Sequence, residues 1–144
     1  MMVQAVVADD EVLARQKLRQ LLREMPEIEV VGESATAAET IDLVRATKPD
    51  LLFLDVRMPD MDGFDIIGEL SCAGSPSLPC IIFTTAYDRY ALRAFEINAV
   101  DYLLKPFTQA RFRAATERAL QHIHSKKHDP HSVAPKGRDR KSVV

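Results

Sequence analysis

The chain has 144 residues, of which 47% are hydrophobic, 28% are charged and 6% are aromatic, and its formal net charge is −2. This length and composition are typical of a single globular domain, and two cysteines are too few for a disulfide scaffold. No apolar run approaches the roughly 18 residues that can span a bilayer, and the acidic N-terminal stretch is unlike a signal peptide. We therefore expect a cytoplasmic protein without a membrane segment.

The charges are distributed unevenly along the chain. Residues 125–144 carry six basic and two acidic side chains, a balance of +4, whereas residues 1–124 carry a balance of −6. The basic stretch also contains two prolines and one glycine among few apolar residues, which predicts a flexible linker or tail after a domain over residues 1–124. Because the predicted domain is acidic, its composition does not favour direct binding to nucleic acid.

Short apolar runs alternate with amphipathic helical patterns in the predicted domain. Strands are predicted at residues 3–8, 28–31, 51–54, 80–83 and 100–104. Helices are predicted at residues 11–25, 36–47 and 107–124, and from about residues 62 and 88 onward. Pro26 ends the first helix, and Thr36 with Glu39 forms a capping box at the start of the second. This alternation predicts an α/β fold with right-handed crossovers and a doubly wound, five-stranded parallel sheet.

Polar side chains follow four of the predicted strands. Asp9 and Asp10 come after the first strand, Asp55 after the third, Thr85 after the fourth and Lys105 after the fifth. In an open parallel sheet, ligands bind outside the carboxyl ends of the strands. We therefore expect three carboxylates, one hydroxyl and one amine to meet at a single edge of the sheet.

These residue types suit phosphoryl transfer, which needs mainly positioning and electrostatic neutralisation. Three neighbouring carboxylates repel one another, and Mg²⁺ with its preference for oxygen ligands relieves that repulsion. Lys105 adds a second positive charge, and Thr85 offers a hydroxyl to a phosphoryl oxygen. Asp55 follows the central strand and is the best-placed carboxylate to act as the nucleophile.

Several short motifs resemble those of the receiver domain of bacterial two-component response regulators. They are Asp9-Asp10, Asp55, Met58-Pro59, Asp62-Gly63, Thr85-Ala86 and Lys105-Pro106, and the resemblance covers about residues 2–124. The stretches 84–88, 90–95 and 98–107 are similar to the LytTR (LytR/AlgR) subgroup, whose members usually append a β-rich DNA-binding domain. The resemblance implies a flavodoxin-like fold with strand order 2-1-3-4-5.

The resemblance also implies roles for the residues at the sheet edge. Asp55 would accept a phosphoryl group from a phosphohistidine on a sensor histidine kinase. Asp10, Asp55 and the backbone carbonyl of Arg57 would ligate Mg²⁺, with Asp9 acting partly through water. Thr85 and Lys105 would hold the phosphoryl group, and the Lys105–Pro106 peptide bond would be cis.

The same resemblance implies how the signal leaves the site. Tyr102 would turn inward as Thr85 moves toward the phosphate, and the fourth helix, fifth strand and fifth helix would form the surface on which many receivers dimerise. DNA binding would belong to an output domain that is missing from this sequence. The chain is then expected to be either a fragment or a stand-alone receiver.

Three other interpretations compete with this one. A phosphatase of the haloacid dehalogenase type also uses an aspartate nucleophile, but usually has a second aspartate two residues later, where this chain has Arg57. A receiver that only docks partners needs no complete acidic site. An EF-hand is partly imitated by Asp60, Asp62, Gly63 and Glu69, but Met58 occupies the first ligand position, and these acids are expected to cap the third helix instead.

Overall fold

The computed structural model describes residues 2–72 and 78–128, and strands alternate with helices throughout this part of the chain. The elements are β1 (Val3–Ala8), α1 (Val12–Leu22), β2 (Ile28–Ser34), α2 (Ala37–Thr47), β3 (Leu51–Asp55), α3 (Gly63–Cys72), β4 (Cys80–Thr85), α4 (Ala91–Glu96), β5 (Asp101–Leu104) and α5 (Gln109–His128). A 3₁₀ turn at Asp88–Tyr90 precedes α4. None of the helices in the described ranges is both long enough and apolar enough to cross a membrane.

The five strands form one parallel sheet in the order β2-β1-β3-β4-β5, which confirms the predicted architecture. The order reverses between β1 and β3, so the topological switch point lies where these two strands end. All five residues of β3 are buried, as expected for a central strand with helices on both faces.

Two apolar cores lie on opposite faces of the sheet. One core packs α1 and α5 against the strands, and its centre is the stacked pair Phe53 and Phe112, whose ring centroids are 5.6 Å apart. The other core packs α2, α3 and α4 against the opposite face of the strands, and the ring centroids of Phe64 and Phe83 in it are 4.9 Å apart. Side chains alternate between these faces along each strand, which decides the face that each strand-end residue occupies.

The predicted end of the second strand was wrong. β2 continues through Gly32 to Ser34, with a register shift in its pairing between Ala5 and Val6. Gly32 does not end the strand, because its role is close packing: a Cβ there would lie 2.8 Å from the Leu43 side chain. The glycine marks the contact between the sheet and α2.

The predicted helix boundaries shift by a few residues for identifiable reasons. α1 ends at Leu22 because the amide groups of Glu24 and Met25 bond to carbonyls three residues back, which tightens the chain into a turn. α5 starts after Thr108, whose hydroxyl accepts the Arg111 amide at 3.0 Å. The helix continues to His128, four residues past the predicted domain boundary, and residues 129–144 lie outside the described part of the chain. A flexible tail therefore stays a prediction.

The caps of α2 and α3 are only partly as predicted. Thr36 accepts the Glu39 amide at 3.1 Å, and Asp62 accepts the Asp65 amide at 2.9 Å at the start of α3. Asp60 does not cap α3. Its carboxylate accepts the first two amides of α2 at 2.7 and 3.1 Å, and these bonds lower its pKa. Asp60 thus attaches the loop that follows β3 to α2, the helix that precedes β3 in the chain.

Candidate functional site

The ends of β1 and β3 bring three carboxylates together. One oxygen each from Asp9, Asp10 and Asp55 lie within 4.8 Å of one another. Asp9 is fully buried, Asp55 is 5% exposed and Asp10 is exposed to solvent. The sheet edge therefore carries an acidic cluster with two buried members and one open side, where the sequence predicted one.

Lys105 reaches this cluster from β5. Its Nζ lies 2.7 Å from Asp9 Oδ2 and 3.1 Å from Asp55 Oδ2. It also lies 3.9 Å from Glu11 Oε1, an acid that the sequence analysis did not assign to the site although it directly follows Asp10. The predicted meeting of the lysine with the carboxylates is present in the structure.

Backbone amides hold the other oxygens of the two buried acids. Asp9 Oδ1 accepts the Glu11 amide and Asp55 Oδ1 accepts the Arg57 amide, both at 2.9 Å. Each buried carboxylate therefore has one oxygen on the backbone and the other on Lys105, which fixes its orientation. The two acids are preorganised on rigid strand ends.

Arg15 supports the loop after β1, and sequence reasoning missed it. Its Nη1 donates to the Asp9 carbonyl at 2.7 Å, while its Nε pairs with Glu33 Oε1 at 3.2 Å. A guanidinium between a backbone carbonyl and a carboxylate holds both in a planar arrangement. The sequence signal that could have identified Arg15 is its position one turn into α1, because α1 faces β2.

Burial and neighbouring charges shift the two central ionisable groups. Burial raises the pKa of Asp55 to about 6, and the charge of Asp9 adds to this, against the lowering effects of the Arg57 amide and of Lys105. Burial lowers the pKa of Lys105, but its bonds to Asp9 and Asp55 outweigh burial and leave that pKa raised. The lysine is therefore cationic at neutral pH, and one ammonium faces several carboxylates.

Thr85 and Tyr102 are connected through one residue. Thr85 is fully buried and its Oγ1 accepts the Tyr87 amide at 3.2 Å, while the Tyr102 hydroxyl donates to the Tyr87 carbonyl. Tyr102 is half-buried beside the core on the α4 side of the sheet. A displacement of Thr85 would therefore act on the Tyr87 backbone, to which Tyr102 is bonded.

Two further features lie beside the site. The Lys105–Pro106 peptide bond is cis, as the resemblance implied. The Arg57 guanidinium lies over the Tyr87 ring, 5.3 Å from its centroid, so the Arg57 side chain packs toward the segment that follows β4. Whether the Arg57 carbonyl binds a cation stays a prediction.

Similar sequences agree with this description. The model of the response regulator receiver domain family matches residues 5–117. The transcriptional regulatory protein BtsR of Escherichia coli (strain K12) is 44% identical over 120 residues, which are 83% of this chain and 49% of BtsR. The sensory transduction protein LytT of Bacillus anthracis is 44% identical over 110 residues, 76% of this chain and 44% of LytT. The chain thus spans about half the length of these curated relatives.

Solved structures show the same fold. The response regulatory domain of protein mrkE from Klebsiella pneumoniae superposes with a TM-score of 0.78 at 29% identity, covering 85% of this chain and 98% of that one. The REC domain of AraT from Geobacillus stearothermophilus gives a TM-score of 0.76, also at 29% identity, covering 88% and 99%. With the acidic cluster and its lysine at the switch point of this sheet, these matches establish that the chain belongs to the response regulator receiver domain family, and BtsR and LytT support the LytTR subgroup.

Proposed function

We propose that the chain is a phosphorylation switch in which Asp55 accepts a phosphoryl group from the phosphohistidine of a sensor histidine kinase. The observation that carries the proposal is the Lys105 ammonium bonded to both buried aspartates, with the exposed Asp10 beside them. This arrangement supplies a nucleophile, a cation for the incoming phosphoryl oxygens and an open side for the donor. Because the relatives are signalling proteins, we propose no steady enzymatic turnover.

The carboxylate cluster fits Mg²⁺, because its oxygens are hard ligands within 4.8 Å of one another and the single ammonium does not balance their charge. We propose that Asp10, Asp55 and the Arg57 carbonyl hold the cation, with Asp9 contributing partly through water. When bound, Mg²⁺ supplies positive charge to phosphoryl oxygens and to the attacking carboxylate.

The chain's own residues perform the transfer. An Asp55 oxygen attacks phosphorus, the O–P bond forms, the N–P bond of the phosphohistidine breaks, and the imidazole of the kinase leaves with the electron pair. Lys105 then pairs with one phosphoryl oxygen, and Thr85 donates its hydroxyl to another. A pKa of about 6 leaves Asp55 mostly ionised at neutral pH and therefore able to attack.

The signal is proposed to leave through Thr85 and Tyr102. When Thr85 turns toward the phosphoryl group, its bond to the Tyr87 amide is lost or displaced, and the Tyr102 hydroxyl follows the Tyr87 carbonyl. A phosphoryl group adds about two negative charges and can bias such a two-state element.

The output surface is proposed to be the face of α4, β5 and α5. Leu92 is 69% exposed and Phe95 is 79% exposed on α4, and Leu104 is 42% exposed at the end of β5. Asp101 lies at the start of β5 between Arg111 and Arg118, so charged side chains border the apolar ones. We propose that a second copy of the chain covers this face after phosphorylation.

Control of transcription is proposed for the whole protein rather than for these residues. BtsR is named a transcriptional regulatory protein and is about twice as long as the part matched here. We therefore propose that a LytTR-type DNA-binding domain outside this sequence reads the switch, and that the location is cytoplasmic. The alternative is a receiver that acts by protein docking without an output domain.

The experiment is a titration with beryllofluoride, an analogue of the phosphoryl group, in the presence of Mg²⁺. We expect saturable changes in the amide NMR spectrum of the wild-type chain and no response from Asp55→Asn. A normal response is expected from Asp62→Asn, which removes a charge outside the cluster and keeps an oxygen that can cap α3. A response retained by Asp55→Asn would refute the proposal. Failure to bind Mg²⁺ at millimolar concentrations would favour the docking alternative, and steady hydrolysis of a phosphate ester would favour a phosphatase.

A further inference from the structure

Thr84 carries an unpartnered hydroxyl next to the functional site. The residue is fully buried, and among the described residues its Oγ1 is the one buried side-chain nitrogen or oxygen without a hydrogen-bond partner. A buried hydroxyl without a partner is unfavourable, and such atoms are rare in native proteins. Its presence one residue before Thr85 therefore requires an explanation that ordinary packing does not give.

The register of the sheet places Thr84 beside Asp55. Thr84 on β4 pairs with Asp55 on one side and with Leu103 on the other. Paired residues of neighbouring parallel strands direct their side chains to the same face of the sheet. The Thr84 side chain therefore stands on the face that also carries Asp55, the face of α1 and α5.

The side chain of Lys105 spans the width of β4 near this position. Lys105 follows Leu103 by two residues, so it starts on the same face, and β4 separates its strand from β3. Its ammonium nevertheless reaches Asp55 at 3.1 Å and Asp9 at 2.7 Å. The lysine side chain therefore spans the carboxyl end of β4, where Thr84 lies.

We propose that Thr84 is a positioning residue that holds Lys105 in the orientation that the lysine adopts when Asp55 is phosphorylated, an inference that rests on the proposed function. In the structure the ammonium donates to Asp9 and Asp55. When Asp55 carries a phosphoryl group, Lys105 shifts to a phosphoryl oxygen, and this shift brings its third N–H donor, which neither aspartate accepts in the structure, to Thr84 Oγ1. The hydroxyl is then unsatisfied in the free chain and satisfied in the phosphorylated chain, so it favours phosphorylation.

The test compares Thr84→Val, which keeps the side-chain shape and removes the hydroxyl, with Thr84→Ser, which keeps the hydroxyl. Urea unfolding without beryllofluoride and beryllofluoride affinity with Mg²⁺ are measured on the full chain. We expect Thr84→Val to unfold at a higher urea concentration than the wild type and to bind beryllofluoride about tenfold more weakly. Thr84→Ser is expected to retain wild-type affinity.

Other outcomes refute the inference. Wild-type affinity in Thr84→Val would show that the hydroxyl gains nothing in the phosphorylated state. Equal weakening in both variants would assign the effect to packing. A Thr84→Val chain that unfolds at lower urea concentration, or does not fold, would show that the hydroxyl is already satisfied. A wild-type chain without any Asp55-dependent response would instead refute the proposed function, and with it this inference.

Discussion

Gly63, the first residue of α3, is the most sharply testable packing position near the site. A Cβ added there would lie 3.0 Å from the Asp55 carbonyl oxygen, 3.1 Å from the Phe83 ring and 3.2 Å from the Val56 Cα. Two of these three neighbours are backbone atoms of the segment that carries the proposed phosphoacceptor, and Phe83 is fully buried. A methyl group at this position must therefore displace the end of β3 or a packed core side chain.

The size of the effect follows from two opposing contributions. Overpacking of a buried site costs about 1–3 kcal/mol, while replacing glycine by alanine at a helical position returns about 0.5–1 kcal/mol of conformational entropy. The difference spans about 0–2.5 kcal/mol, and because two of the three close contacts are with backbone atoms, we expect Gly63→Ala to lower the free energy of unfolding by about 1–2 kcal/mol. Because the Asp55 backbone must move, the affinity for beryllofluoride should fall as well.

Gly68 provides a matched control in the same helix. A Cβ there meets nothing within 4 Å, so Gly68→Ala should raise the free energy of unfolding by about 0.5–1 kcal/mol without affecting the site. Urea unfolding of both variants gives the stability difference, and beryllofluoride titration gives the affinity. Equal stability of the two variants, or unchanged affinity in a destabilised Gly63→Ala chain, would refute this account of the β3–α3 contact.

Three further predictions concern charge and surface. The pKa of Asp55 is about 6 in the folded chain against an unperturbed 3.8, so the folded chain binds more protons than the unfolded chain between these pH values. As the pH rises through this window, the free energy of unfolding of the wild type should fall by up to about 3 kcal/mol relative to that of Asp55→Asn. Urea unfolding without divalent ions measures this difference, and parallel pH profiles of the two chains would contradict it. The pKa of Asp101 is shifted in the opposite direction: burial would raise it, but the bonds from Arg111 and the Tyr102 amide outweigh burial and lower it. The wild type should therefore be more stable than Asp101→Asn above about pH 4, and this advantage should disappear as the pH falls below 3.8. Phe95→Asp should abolish dimerisation in beryllofluoride as measured by light scattering, whereas Leu13→Asp on α1, at the same 79% exposure, should not; dimerisation retained by Phe95→Asp would exclude the α4 face.

The strand-end residues were predictable because a parallel sheet imposes their meeting. Apolar runs predicted the strands, and parallel strands end at the same edge, so Asp9, Asp55 and Lys105 were expected at that edge wherever the helices lay. The strand order that places β1 beside β3 came from the family resemblance, since periodicity alone does not determine which strands are neighbours.

Other contacts could not be predicted because they depend on where side chains reach across loops. Arg15 bonds to the Asp9 carbonyl, and Asp60 caps a helix whose first residue lies 23 positions earlier in the chain. Neither bond leaves a periodic signal in the sequence. Gly32 was misread for a related reason: a glycine that ends a strand and a glycine that admits Leu43 look identical without the neighbouring helix.

The position of Lys105 explains why the proposed switch acts through β5 rather than through β3. β3 is buried along its whole length, so a shift there would disrupt both cores, whereas β5 is a four-residue edge strand with three partly or largely exposed residues. The Lys105 amide donates to the Thr85 carbonyl at 2.7 Å, so a lysine drawn toward new negative charge also acts on the end of β4. Weakly buried elements rearrange at the lowest free-energy cost. We therefore expect the charge at Asp55 to act on the edge strand β5, which carries Tyr102 and the exposed Leu104.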